Sequence, residues 1–475
     1  MNKKKHSGSG WYQWAFWTVL ICFLVLCVFF MVHNAQWLMG DEAIVFSRTG
    51  MGKPFSFSGF DGMIESYGRL YPFAYTFYNL LLLFTDGYVS PKAVYVFQGI
   101  SLSVFAVFFA LLALRLLRDK SNPWKLATAF FFTAICVFRV YTEFITCYTG
   151  MWIVFLFLPI FMFFTCRFME SEHWGDGVIA LLSITYIIYC YETIFVIPLA
   201  LGMGELLFRY RRLTSRKRVF CLLLSGSGLL FLVLYAILVL PKAHQFYHHY
   251  GDTTFLQNAF KMFFANKLYW LASVVLVVRF IEVVFKKKPY SFFDSLLLSS
   301  FAYFLGAAVL KLDYTYYYNV GALIGLTASL YHLKEWLRPE WLCILMVAFA
   351  LFYGRKMPRV IRRFERERTE VSTQMGILST YLDEQESVYW YEPMTDDLKV
   401  DYLDFRESAK MTVEAYLGWM RKGEVSLERK QSFDGSDGIW LVYSGKHGEI
   451  PKTPEELARY ERVFATSLIY GYQCE

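Results

Sequence analysis

Two acids stand side by side at Asp41-Glu42, a short way past the first long apolar stretch. The apolar Trp37-Leu38-Met39-Gly40 just before them keeps them close to a membrane surface. Ionisable groups are costly there and are therefore functional candidates. A second reading stays open: Gly40-Asp41 also suits the N-cap of a helix over 42–47, and both roles can hold at once. Arg69, in Tyr67-Gly68-Arg69-Leu70-Tyr71-Pro72-Phe73, opens a short apolar segment further along. A guanidinium stays charged and grips phosphate through paired hydrogen bonds, so a lipid-linked phosphate suits it. An interfacial anchor with its stem along the bilayer suits it too.

Further polar groups sit between apolar stretches. Glu192, in Cys190-Tyr191-Glu192-Thr193, lies between two short apolar segments, where an acid needs a partner. Arg139, Tyr141 and Glu143 form a second set, Lys242, His244, His248 and His249 a third, and Lys311, Asp313, Tyr314, Tyr316, Tyr317 and Tyr318 a fourth. Each also fits an interfacial anchor or a solvated loop charge. His244 and His248 have helical spacing, but the sequence around them is irregular, so no metal site is expected.

The elements that carry these residues are read from hydropathy. The chain has 475 residues, 56% hydrophobic and only 18% charged. Apolar runs recur at lengths suited to crossing a bilayer as helices. The 47 Phe and 34 Tyr suit lipid-facing helices with aromatic belts. The formal net charge is +7, but its Lys and Arg crowd short loops beside apolar runs and form no motif for nucleic acid. Most of the nine cysteines fall in or beside apolar runs, where they read as small buried residues rather than a disulfide framework.

Lys3, Lys4 and Lys5 place the N-terminus in the cytoplasm. An uncleaved first span over 14–31 then delivers a first outer loop over 33–91, within which 71–84 is too short to cross and reads as a re-entrant helix. Further spans are expected at 93–117, 126–138, 151–165, 219–240, 268–284, 291–310, 319–333 and 340–353. The stretch 177–208 is too long for one span and reads as two, meeting at Glu192. That hairpin puts the cluster Arg209, Arg211, Arg212, Arg216, Lys217 and Arg218 inside. Arg139 to Tyr148, Pro241 to Lys267 and Lys311 to Tyr318 become outer loops, so the candidate groups gather at one face.

Composition shifts at Arg355. The reading is a polytopic domain over 1–354 and a soluble extracytoplasmic domain over 355–475. Within the latter, Arg355 to Arg368 reads as a basic stretch on the membrane surface. Ser387 to Tyr391 and Ile439 to Tyr443 read as strands, Ala409 to Arg421 as a helix, and Thr453-Pro454-Glu455-Glu456 as a helix start. The fold class is thus an all-α polytopic membrane protein of about eleven transmembrane helices plus a small α/β or α+β C-terminal domain.

An apolar first span, an outer loop opening on an acidic pair, then Arg69 and Pro72 before a short apolar helix: this order resembles the GT-C glycosyltransferases. Their relatives include aminoarabinose transferases, protein O-mannosyltransferases and O-antigen glucosyltransferases. The resemblance covers about residues 10–355. It implies an enzyme of the plasma membrane that takes a sugar from a polyprenyl-phosphate donor to a surface glycan, glycolipid or protein acceptor. It implies Asp41 as catalytic base with Glu42 beside it, and Arg69 at the donor phosphate. The chain has Arg69-Leu70-Tyr71-Pro72 where some branches carry Lys-Pro or His-Pro-Pro. Arg139, Glu143, Glu192, Lys242, His244, Lys311, Asp313 and Tyr316 remain possible substrate contacts. No cofactor is required, no second acidic motif supports a divalent metal, and direct displacement would invert the anomeric carbon. A polysaccharide polymerase or ligase is a second enzyme reading, though those favour Arg-rich outer loops. A transporter would call for two related halves with broken helices, and no such repeat is visible. A scaffold whose external domain binds partners completes the alternatives.

Overall fold

The computed structural model describes residues 7–33, 35, 68–74, 76, 91–118, 122–145, 151–242, 254–310, 312, 315–384, 387–392, 409–418, 426–443, 459–465 and 469–474. Helices dominate them. In chain order they are α1 (Ser7–Val32), α2 (Pro91–Leu117), α3 (Pro123–Ile145), α4 (Met151–Ser171), α5 (Trp174–Cys190), α6 (Val196–Arg209) and α7 (Ser215–Leu238). Then follow α8 (Phe255–Ala265), α9 (Lys267–Val284), α10 (Phe292–Val309), α11 (Thr315–Trp336), α12 (Pro339–Gly354) and α13 (Met357–Glu384). Eight helices among the described residues are long and apolar enough to cross a membrane. With α5, α9 and α11, the eleven apolar stretches marked in the sequence are all helical.

Those three differ from the other eight in length or in polarity, for physical reasons. α5 has 17 residues because the chain breaks at Tyr191. α9 carries Lys267, Arg279 and Glu282. α11 is the buried centre of the bundle: it packs against α2, α3, α4, α9, α10 and α12, and Val320, Ala322, Leu323, Ile324, Leu326 and Leu330 are wholly enclosed. A helix walled by protein can carry Asn319, Ser329 and His332, because protein rather than lipid surrounds them. α6 and α7 meet at a glycine: a Cβ on Gly202 would stand 2.5 Å from the Cys221 carbonyl oxygen. Small residues permit such close backbone approach between membrane helices.

Two expected boundaries move. α3 does not stop near residue 138 but runs to Ile145, so Arg139 and Glu143 lie in its last turns and not in an outer loop. α11 starts at Thr315, so Tyr316, Tyr317 and Tyr318 are helical as well. The helices extend past the purely apolar stretch because these polar side chains find one another across the bundle.

After α12, most of the basic stretch 355–368 forms the first half of α13, a 28-residue helix. Its apolar stripe, Phe364, Val371, Met375 and Leu378, is buried, with exposed Arg359, Arg362, Arg363 and Arg366 on the other side. Strands β1 (Val388–Tyr391), β2 (Glu428–Lys430), β3 (Gly438–Tyr443), β4 (Glu461–Ala465) and β5 (Ile469–Cys474) form one sheet in the order β2-β1-β3-β5-β4. β1 runs parallel to β2 and β3, while β5 runs antiparallel to β3 and β4. β3 is buried along its whole length: Ile439, Leu441 and Tyr443 join the main core, while Trp440 and Val442 pack with Tyr391, Tyr472 and Cys474. A helix spans 409–418. The helix start at 453–456 lies outside the described residues.

Candidate active site

The site begins with the break between α5 and α6. Tyr191 is extended, with φ −153° and ψ 107°, and Glu192–Phe195 forms a single 3₁₀ turn before α6. The break frees the last carbonyls of α5, which a helix end leaves unpaired. The amide of Phe73 donates to the Tyr189 carbonyl at 3.2 Å. The Tyr235 hydroxyl of α7 donates to the Gly68 carbonyl at 2.7 Å, and Gly68 sits at φ 63°, a conformation glycine adopts freely. The segment 68–74 is thereby tied down over the break.

That places Arg69 on Glu192. The two form an ion pair, with Nη2 donating to Oε2 at 3.1 Å, and both residues are 6% exposed. The guanidinium also lies over two rings, 4.6 Å from the Tyr71 centroid and 5.1 Å from that of Tyr191. Burial alone works against its charge, but Glu192, foremost among its electrostatic neighbours, holds the Arg69 pKa well above the usual arginine range. The Tyr191 and Tyr317 hydroxyls share a 2.8 Å hydrogen bond, and Thr193 Oγ1 meets the Tyr303 hydroxyl at 3.3 Å. The result is a permanently charged cation in an aromatic enclosure.

A second polar set adjoins it through α11, where Asn319 follows Tyr317 by two residues. Arg139 donates through Nε to Asn319 Oδ1 at 3.0 Å and a second time through Nη2. Asn319 Nδ2 donates to the Arg139 carbonyl at 2.8 Å and to Glu143 Oε1 at 3.3 Å. Asn266 Nδ2 also donates to Asn319 Oδ1, at 3.3 Å. The Arg139 guanidinium lies 4.9 Å over the Tyr353 ring. Glu143 is 3% exposed, and its Oε2 has no partner among the described residues.

Of the sequence candidates, Arg69 and Glu192 therefore come together, as do Arg139 and Glu143. Tyr316 is half-buried with its ring against Tyr317 at 4.5 Å. Lys242 is exposed in the turn after α7 and joins neither set among the described residues. Asp41, Glu42, His244, His248, His249, Lys311 and Asp313 lie outside the described residues, as does most of the re-entrant segment 71–84. Among the described residues no three His, Cys, Asp or Glu side chains converge as a metal would require.

Sequence reasoning missed Asn319 and Asn266, although an amide inside an apolar stretch is a signal for interhelical pairing. It also missed an ion cluster at the opposite ends of α6, α10 and α11. There Arg279 holds Asp294 through two 2.8 Å hydrogen bonds and Glu282 through one of 2.7 Å, while His332 Nε2 stands 3.2 Å from Asp294. Ser295 donates to Glu205 at 2.7 Å beside them. These charges fasten the end of the bundle opposite Arg69.

No protein-family model matches the sequence, and no curated protein matches it. Solved structures do. ArnT from Cupriavidus metallidurans bound to undecaprenyl phosphate superposes with a TM-score of 0.53 at 11% identity, over 99% of this chain and 99% of that one. The apo form of ArnT from the same organism gives 0.55 at 11% identity, over 97% and 98%. The likeness extends over nearly the whole of both chains, and this chain has the fold of those ArnT structures.

Proposed function

We propose that the protein moves a sugar from a polyprenyl-phosphate donor to a surface glycan, glycolipid or protein acceptor at the outer face of the membrane. The observation that supports this most is Arg69: a buried, permanently charged guanidinium walled by aromatic rings, on a fold shared with a protein solved with undecaprenyl phosphate. An anionic lipid headgroup is the ligand such a cation suits, with apolar helices to take the lipid chain.

In this reading Asp41 takes the proton of the acceptor hydroxyl as its oxygen attacks the anomeric carbon, with Glu42 beside it. A positioned base typically contributes about 10²–10⁴-fold. The bond from the anomeric carbon to the phosphate oxygen breaks and its electron pair leaves with the phosphate. Arg69 stabilises that charge, and Glu192 keeps the guanidinium oriented. A single displacement inverts the anomeric centre. Arg139, Glu143 and Tyr316 contact the sugar or acceptor, joined by Lys242, His244, Lys311 and Asp313 from the loops. The N-terminus faces the cytoplasm, and residues 355–475 form a domain on the outer side.

Cells lacking the gene, rescued by wild type or by Asp41→Asn at equal membrane levels, test the reading. Mass spectrometry of surface glycans and polyprenyl-phosphate sugars should show one sugar lost, its lipid-linked donor accumulated, and restoration by wild type alone. Full rescue by Asp41→Asn would remove Asp41 from the mechanism and favour a transporter or scaffold.

A further inference from the structure

Of the arginines on α13, Arg359, Arg362, Arg363 and Arg366 are exposed, and Arg368 alone is wholly buried. It stands on the apolar stripe, between Phe364 and Val371. Its Nη1 donates to the Met31 carbonyl at 3.2 Å and its Nη2 to the Ile145 carbonyl at 3.0 Å. Its guanidinium lies 4.3 Å over the ring of Tyr95, in the first turn of α2.

Both carbonyls belong to helix C-termini, Met31 to α1 and Ile145 to α3. Such ends carry unpaired carbonyls and a partial negative charge, so a cation there is doubly favourable. One planar fork serves two helices at once, which an ammonium on a flexible stem does not reproduce. A turn below, the Tyr141 hydroxyl donates to the Cys27 carbonyl at 2.8 Å, a second tie between α1 and α3.

We infer that Arg368 is a positioning residue: it clamps the end of α1, from which the segment bearing Asp41 departs, to the end of α3, which carries Arg139 and Glu143. The C-terminal part of the chain thereby takes part in transfer without touching the substrate. This rests on the proposed function, because the clamp matters to turnover only if the groups it aligns react. Displacing reacting groups by about 1 Å can cost about 10²-fold.

The test uses full-length Arg368→Met, Arg368→Lys and, as an exposed control, Arg366→Met, each purified in detergent. Three readouts are taken: binding of undecaprenyl phosphate, transfer in deletion cells normalised to folded protein, and amide exchange at the ends of α1 and α3. Arg368→Met should bind undecaprenyl phosphate like wild type and transfer about 10- to 100-fold less. Its amides at His33 and Ala35, which bond to Phe29 and Val32, should exchange faster. Arg366→Met should match wild type in all three. Arg368→Lys, which keeps the charge but not the fork, should fall between, and it decides the matter if the methionine variant does not fold. Wild-type transfer by a folded Arg368→Met, or by Arg368→Lys with unchanged exchange, overturns the inference. If wild-type protein neither binds the lipid nor transfers sugar, the proposed function fails, while the exchange data still decide whether the clamp exists.

Discussion

Replacing Arg69 by Met leaves the Glu192 carboxylate buried without its cation, and replacing Glu192 by Leu does the converse. At the 3.1 Å seen between Nη2 and Oε2, opposite unit charges attract by about 5 kcal/mol at an effective dielectric near 20. Removing one partner of a buried pair typically costs about 3–5 kcal/mol, whereas replacing both with apolar groups of similar volume is close to neutral. Each single variant should therefore lose about 3–5 kcal/mol and the Arg69→Met/Glu192→Leu double variant should recover most of it. Equilibrium unfolding in mixed micelles, run as a double-mutant cycle, gives the coupling directly. It should be about 3 kcal/mol or more. Additive losses, with a coupling under about 1 kcal/mol, would refute the buried pair. The double variant separates the two roles of the site as well: stable again, it should still fail to rescue glycan transfer, because the phosphate has lost its cation.

Three other outcomes follow from packing and burial. Asn319→Leu strands Arg139, Glu143 and Asn266, at about 1–3 kcal/mol for each group left unpaired, so its thermal transition in detergent should fall well below wild type. Gly202→Ala forces a Cβ to 2.5 Å from the Cys221 carbonyl oxygen, whereas Gly226 has open space beside it; the first should destabilise by about 1–3 kcal/mol and Gly226→Ala should not. Burial pushes the Cys474 thiol up to about 11, so at pH 8 about one thiol in a thousand is ionised and maleimide labelling of native protein should be slow. Rapid native labelling at Cys474 would contradict its place in the sheet core.

The apolar helices were legible because a bilayer demands long runs without charge, and Glu192 because an acid between two such runs is costly. Its partner Arg69 was singled out separately, yet nothing in the sequence couples two residues 123 positions apart. Arg139 and Glu143 were assigned to a loop because a charge normally ends a span. They are helical because Asn319, 180 residues from Arg139, receives them. The helical character of α13 is hidden for a related reason: its arginines crowd the first half, and the heptad-like spacing of Phe364, Val371, Met375 and Leu378 is visible only once the charges are set aside. In the C-terminal part, β1 and β3 were readable from their β-branched and aromatic residues. Their parallel pairing, and the order of all five strands, depends on contacts between distant segments.

The ties that hold the site share a property. The Phe73 amide reaches the Tyr189 carbonyl, Tyr235 reaches Gly68, Tyr141 reaches Cys27, and Arg368 reaches Met31 and Ile145. Unlike the side-chain pairs around Glu192 and Asn319, each of these ends on a main-chain oxygen, an atom that every residue supplies whatever its side chain. Half of each contact is thus immune to point substitution, and only the donors need to be kept. A scaffold fastened in this way tolerates wide change of side chain at the accepting positions.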